Sequence, residues 1–186
     1  MRKFITTASV VLTLAGCTAS VSIADVQNSI ATTSSTVKET NASKPGSLAQ
    51  SLIQETKSKR NAVKMKQVIK YLKTRVGRTS YVFSGSSPRG WDCSGMVRWA
   101  YARFGLDIPH SANKQAHLGT RVSSPAIGDI VVFAYQGSIS FYHAAMYIGN
   151  GKIVHANRAR KTTVIEPLSN YKSSQIRFVR LVNQVS

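Results

Sequence analysis

Apolar positions along this chain change texture several times. Phe4 to Ala15 is an apolar run with a few Ser and Thr, behind the basic start Met1-Arg2-Lys3. It is too short for a membrane-spanning helix and has the proportions of a signal peptide, so residues 1–17 are expected to direct export. From Thr18 to Lys59, Ser, Thr, Ala and Asn dominate without periodicity, and too little apolar surface is present to offset the entropy of ordering them. Residues 18–59 predict a flexible tether. Val63, Val68, Ile69 and Leu72 then recur at helical spacing, which predicts an amphipathic helix stopped by Gly77. Met96, Val97, Trp99, Ala100, Tyr101 and Phe104 form a second helical face, closed by Gly105.

Residues 106–126 show no regular element. After the turn Ile127-Gly128 the runs become short and strand-like, at 129–135, 142–148, 152–156, 162–165 and 176–182. Helices followed by strands with hairpin-length links predict an α+β domain over residues 60–186. Its N-terminal helices pack on an antiparallel sheet of five to six strands. A segment of this size supports one core and not two.

Charge and cysteine content sharpen this picture. The chain carries 25 Lys and Arg against 7 Asp and Glu, a formal charge of +18. The run from Lys57 to Arg78 holds much of the excess with no intervening acid, so polyanions are expected partners: wall polymers, or the anionic headgroups of a membrane surface. Nucleic acid is not expected, because no helix-turn-helix, zinc spacing or aromatic-basic strand accompanies the charge. Leu14-Ala15-Gly16-Cys17 reads as a bacterial lipobox, with Cys17 lipidated after cleavage; plain cleavage near Ala19 or Ala24 is the alternative. That leaves Cys93 as the one other cysteine, unable to form an internal disulfide. A free thiol kept in an oxidising compartment points to a use for it.

Cys93 falls where a Gly/Ser/Pro-rich loop turns into the second helix. There the free N–H groups and the helix dipole favour an anion, so the thiol is expected to shift toward thiolate. A buried structural thiol is the competing reading. A cysteine nucleophile needs a base and a group to orient that base. His143 opens the second strand and His155 closes the third, on either side of Gly149-Asn150-Gly151. A two-residue loop would put the two rings on opposite faces. A three-residue loop with Gly151 as a bulge pairs 148 with 152, which sets His155 opposite Ala145 and diagonal to His143. The odd-length loop is the expectation. His110 and His117 sit in the polar connecting stretch and are assigned no role. No zinc-ligand spacing exists, and neither metal nor other cofactor is expected. Cys before His before a polar third member is papain-like chemistry.

Three stretches carry a resemblance: Gly85 to Gly95 with its Asp92-Cys93-Ser94-Gly95, Pro125 to Phe133 with its Gly128-Asp129, and His143 to Ala156. Over residues 68–181 they resemble, in order, the NlpC-type cell-wall peptidases. The resemblance implies a papain-like fold in which Cys93 attacks, His143 is the general base and His155 orients it, with Tyr81 near the oxyanion. It implies action on peptidoglycan stem peptides, typically between D-γ-glutamate and the following diamino acid. Ser84 departs from the family's usual glycine and His110 from its usual arginine, which bears on substrate detail. A wall amidase on the same fold, and a non-catalytic basic wall-binding lipoprotein, are the rival readings. Asp92 is expected only to cap the Cys93 helix.

Overall fold

The computed structural model describes residues 45–183. The expected export segment, Cys17 and tether residues 18–44 lie outside the described residues. Helix α1 spans Pro45–Thr74 and so begins well inside the stretch expected as tether. Between Leu48 and Thr74 it contains neither Gly nor Pro, and Leu, Ala, Gln and Lys are good helix formers. Residues 48–57 are nevertheless exposed. Lacking an apolar partner surface, this half has no burial signal to read. The buried stripe of α1 is Met65, Val68, Ile69 and Leu72, whereas Val63 is 58% exposed. The helical face is therefore rotated from the expected one. Gly77 adopts a left-handed φ of 68° and turns the chain away.

Two two-residue strands follow, β1 at Ser86–Ser87 and β2 at Gly90–Trp91, antiparallel to each other. Helix α2 is Cys93–Ala102, with Met96, Val97, Ala100 and Tyr101 buried. The stretch expected to be irregular holds a short helix α3, Ala112–Gln115, and a strand β3, Thr120–Val122. Both are too short to show a period, and two of the three β3 residues are exposed.

The five expected strands are present as β4 (Ile130–Tyr135), β5 (Phe141–Gly149), β6 (Lys152–Asn157), β7 (Thr162–Pro167) and β8 (Ser174–Arg180). With β3 they form one six-stranded antiparallel sheet in the order β3-β8-β4-β5-β6-β7. Period-2 alternation sorts its residues onto two faces. Ile130, Val132, Ala144, Met146 and Val154 pack with α1 and α2 in the main core. Val131, Phe133, Ala145 and Ile153 form a second cluster on the opposite face, partly covered by Leu168 and Tyr171 of a 3-10 turn.

The β5–β6 hairpin corrects the expected loop. Gly149 pairs with Lys152, so the loop is the two-residue Asn150-Gly151. Both loop residues have positive φ, 51° and 65°, as a type I′ turn requires. The register then shifts between Tyr147 and Gly149, and Met146 pairs with Val154. The bulge at Ile148 restores by one residue what the even loop would have lost. His143 and His155 share a face by this route.

Candidate active site

The cysteine side of the site is built around Asp92. As N-cap of α2, its Oδ1 accepts from Gly95 N at 2.7 Å, from Ser94 Oγ at 3.1 Å and from His110 Nε2 at 2.8 Å. Its Oδ2 accepts from Ser84 N at 2.9 Å. One carboxylate therefore fixes the helix start, the loop before it and His110 together. Ser84 has φ 57°, a left-handed conformation that explains why glycine is usual there. A Cβ on Gly95 would collide with the Gly85 carbonyl and with His110 Nε2, so Asp92-Cys93-Ser94-Gly95 owes its glycine to backbone packed on backbone. Buried Trp91 anchors this unit to the far edge of the sheet, its Nε1 donating to Thr163 Oγ1 at 2.8 Å.

The histidine side comes from β5 and β6. His143 Nε2 lies 2.8 Å from His155 Nδ1, with the rings edge to face. His155 Nε2 lies 3.1 Å from Glu166 Oε2 on β7, and Tyr171 OH donates to the same oxygen at 2.8 Å. Arg160 NH2 approaches the other oxygen of Glu166 at 3.3 Å. Glu166 and Tyr171 belong to no motif in the sequence. The signal that could have found Glu166 is its place on β7: His155 pairs with Val164, so the residue two further along shares its face.

Cys93, His143 and His155 converge on a cleft of about 660 Å³, lined also by Tyr81, His110 and Tyr142. His110 thus lines the cleft, where the sequence assigned it no catalytic role and only its departure from the family's usual arginine bore on substrate detail. His117 stays outside, exposed, with Nδ1 2.8 Å from the Asn113 carbonyl. Among the described residues no cluster of His, Cys, Asp and Glu could hold a metal ion.

Electrostatics correct the expectation of a ready thiolate. Burial pushes the Cys93 thiol above its usual value and outweighs the lowering by N–H groups of Ala144, Ser94 and Cys93 itself; the Asp92 charge adds to the rise. Burial, together with the neighbouring His155, lowers His143 to about 3. Desolvation at this cleft exceeds what one helix start supplies and disfavours the charged form of each group, which leaves a neutral thiol and a neutral imidazole in one cleft. Burial lowers His155 as well, against the opposing pull of Glu166. Burial alone would raise Glu166, but its bonds from Tyr171 and His155 and the charge of Arg160 hold it below the ordinary range, so it is ionised. Tyr81 is raised by burial and by Cys93 and Asp92, and remains a neutral donor.

Together these features define a papain-like α+β domain with a cysteine at a helix start and two bonded histidines on the sheet. The chain belongs to the NlpC/P60 family, whose profile matches residues 77–181. It is 38% identical over 92 residues to a gamma-D-glutamyl-L-lysine dipeptidyl-peptidase of Bacillus cereus, covering 48% of this chain and 28% of that protein. It is 35% identical over 104 residues to a gamma-DL-glutamyl hydrolase of Bacillus subtilis, covering 54% of this chain and 25% of that protein. The chain thus spans well under two thirds of either relative. Among solved structures, an NlpC/P60 family protein from Bacillus cereus superposes with a TM-score of 0.58 at 31% identity, over 63% of this chain and 40% of that one.

Proposed function

We propose that this protein is a cysteine endopeptidase that cuts peptidoglycan stem peptides at the D-γ-glutamyl–diamino acid bond. The observation that carries the reading is the meeting of Cys93, His143 and His155 in one cleft, with the two rings bonded at 2.8 Å. The relatives named for γ-glutamyl cleavage support the choice of bond. Because the resting pair is neutral, the Cys93 proton passes to His143 Nδ1 as sulphur attacks the carbonyl carbon. The N–H of Cys93 at the helix start and the Tyr81 hydroxyl meet the oxyanion. His143 returns the proton to the leaving amine, which frees the diamino-acid product and leaves a thioester. Water, deprotonated by the same imidazole, hydrolyses the thioester and regenerates the thiol. His155 orients His143 throughout, and no step calls for a metal.

Digestion of purified peptidoglycan by the exported form and by Cys93→Ala, followed by mass analysis, tests this. Stem fragments with a new diamino-acid amine are expected from the first and not from the second. Whole stems freed from sugar would make the enzyme an amidase. Wall binding without any release by either protein would leave a basic binding module.

The same reading places the protein outside the cytoplasmic membrane, held by a lipid on Cys17, with the basic run 57–78 against anionic wall polymers. Lys57, Lys59, Arg60, Lys64, Lys66, Lys70 and Lys73 are all exposed, as that contact needs. Cell fractionation separates the two ideas. Cys17→Ala should move the protein from the membrane fraction to the medium, and the released form should bind isolated walls in a manner lost near 0.5 M salt, where the screening length falls to a few ångströms. Unchanged membrane retention, or salt-independent wall binding, would refute the respective half.

A further inference from the structure

We propose that Glu166, steadied by Tyr171, is a positioning residue that sets the tautomer of both histidines and so turns His143 Nδ1 into a proton acceptor. The proposal rests on the Cys93–His143 reading above and extends it by one residue beyond the expected three.

Glu166 is 7% exposed and ionised, so it only accepts hydrogen bonds. Its Oε2 lies 3.1 Å from His155 Nε2, which obliges that nitrogen to carry the proton. His155 is neutral at neutral pH because burial lowers it, and a neutral imidazole has a single N–H. Its Nδ1 is then an acceptor, 2.8 Å from His143 Nε2, so the proton of neutral His143 sits on Nε2. The only nitrogen left bare is His143 Nδ1, on the side away from His155. One ionised side chain on the neighbouring strand thereby specifies a nitrogen two rings away. Tyr171 OH, at 2.8 Å from Oε2 and 3.3 Å from His155 Nε2, donates to the carboxylate and closes the open side of this oxygen. Its ring lies tilted against Phe133 with centroids 4.5 Å apart, and Phe133 lies tilted against His143 at 5.6 Å, so one aromatic cluster backs both ends of the relay. Arg160 occupies the other carboxylate oxygen from a mostly exposed position and is not needed for the tautomer argument.

Glu166→Gln is the decisive variant. It keeps the shape, but an amide can present either oxygen or NH2 to His155, so neither tautomer is enforced. Long-range proton–nitrogen spectra of the imidazoles at neutral pH should show Nε2–H on both rings in the wild type and a mixture in Glu166→Gln. On a soluble γ-D-glutamyl-diamino acid peptide, kcat should fall about 10- to 100-fold, the range for outer partners of a working imidazole, with KM within about twofold. Glu166→Asp should recover part of the loss. Tyr171→Phe, which leaves the carboxylate in place, should lose severalfold. An Nδ1–H on wild-type His155 would overturn the proposal, and so would a Glu166→Gln enzyme with wild-type kcat and an unmixed tautomer. If Glu166→Gln does not fold, the wild-type spectrum and Tyr171→Phe still decide. An active His143→Ala would defeat the parent reading. An inactive His143→Ala beside a fully active Glu166→Gln would defeat this inference alone.

Discussion

Replacing His143 by alanine is expected to lower kcat by about 10²- to 10⁴-fold, the range for a positioned general base, while the protein stays folded. His143 lines the cleft and belongs to neither core cluster, and its neighbours Phe133 and Ala145 are fixed by the second cluster without it. The variant also separates two accounts of the nucleophile. A preformed thiolate–imidazolium pair would alkylate with iodoacetamide at a rate nearly constant from about pH 5 to pH 8, and would lose that plateau in His143→Ala. A neutral thiol and a neutral imidazole behave otherwise. With Cys93 raised by burial and His143 lowered to about 3, the thiolate fraction at neutral pH is below that of a free cysteine. Alkylation should therefore climb steadily through neutral and alkaline pH in the wild type, and nearly as steeply in His143→Ala. Turnover needs neutral His143, so activity should persist into mildly acidic solution instead of failing near pH 6.5. A flat alkylation profile in the wild type would show that the ion pair exists before substrate arrives.

What the sequence disclosed follows from how local each cause is. Strands β4 to β8 and helix α2 announce themselves because their periodicity is imposed by a core that each touches along its length. Strand β3 and helix α3 are three and four residues long, and no period is visible over so few positions. Residues 48–57 of α1 are exposed, so their composition reads as tether although their propensity is helical. The β5–β6 register shows a different limit. The same-face placement of the histidines is reached, but through an even turn and a bulge at Ile148 instead of an odd loop, since both devices displace a strand by one residue. The candidate site divides in the same way. Cys93, His143 and His155 lie in stretches with recognisable local grammar. Glu166 reads as an ordinary strand carboxylate until β7 is laid beside β6, and His110 reads as a loop histidine until the loop folds onto Asp92. The thiolate expectation counted the helix start, which is local, and not the desolvation of the thiol, which depends on the whole fold.

The Gly128-Asp129 pair has a structural task, and removing its carboxylate should produce the largest loss of stability. Asp129 is fully buried and holds Arg180 at both oxygens, with Nε to Oδ1 at 3.0 Å and NH2 to Oδ2 at 2.7 Å. Its Oδ2 also accepts from Ala126 N at 2.7 Å. The pair joins the turn before β4 to the end of β8, and β4 is hydrogen-bonded to both β5 and β8. Behind it, Gly128 (φ 97°) lies against Met65 with no room for a Cβ, and its carbonyl accepts from buried Tyr101 OH at 2.9 Å. Breaking one partner of a buried ion pair typically costs about 3–5 kcal/mol. The Arg180 side chain is 25% exposed and can partly rehydrate, so Asp129→Ala should cost about 2–4 kcal/mol. For a domain of this size, at about 4 °C per kcal/mol, that lowers Tm by roughly 8–16 °C. Asp129→Asn, which keeps the Ala126 bond and one contact to Arg180, should lose about half as much. Asp129 does not line the cleft, so well below the lowered Tm the folded variant should keep its kcat. A variant as stable as the wild type would reduce the bidentate pair to a bystander. A stable variant with lost turnover would move Asp129 from the scaffold to the chemistry.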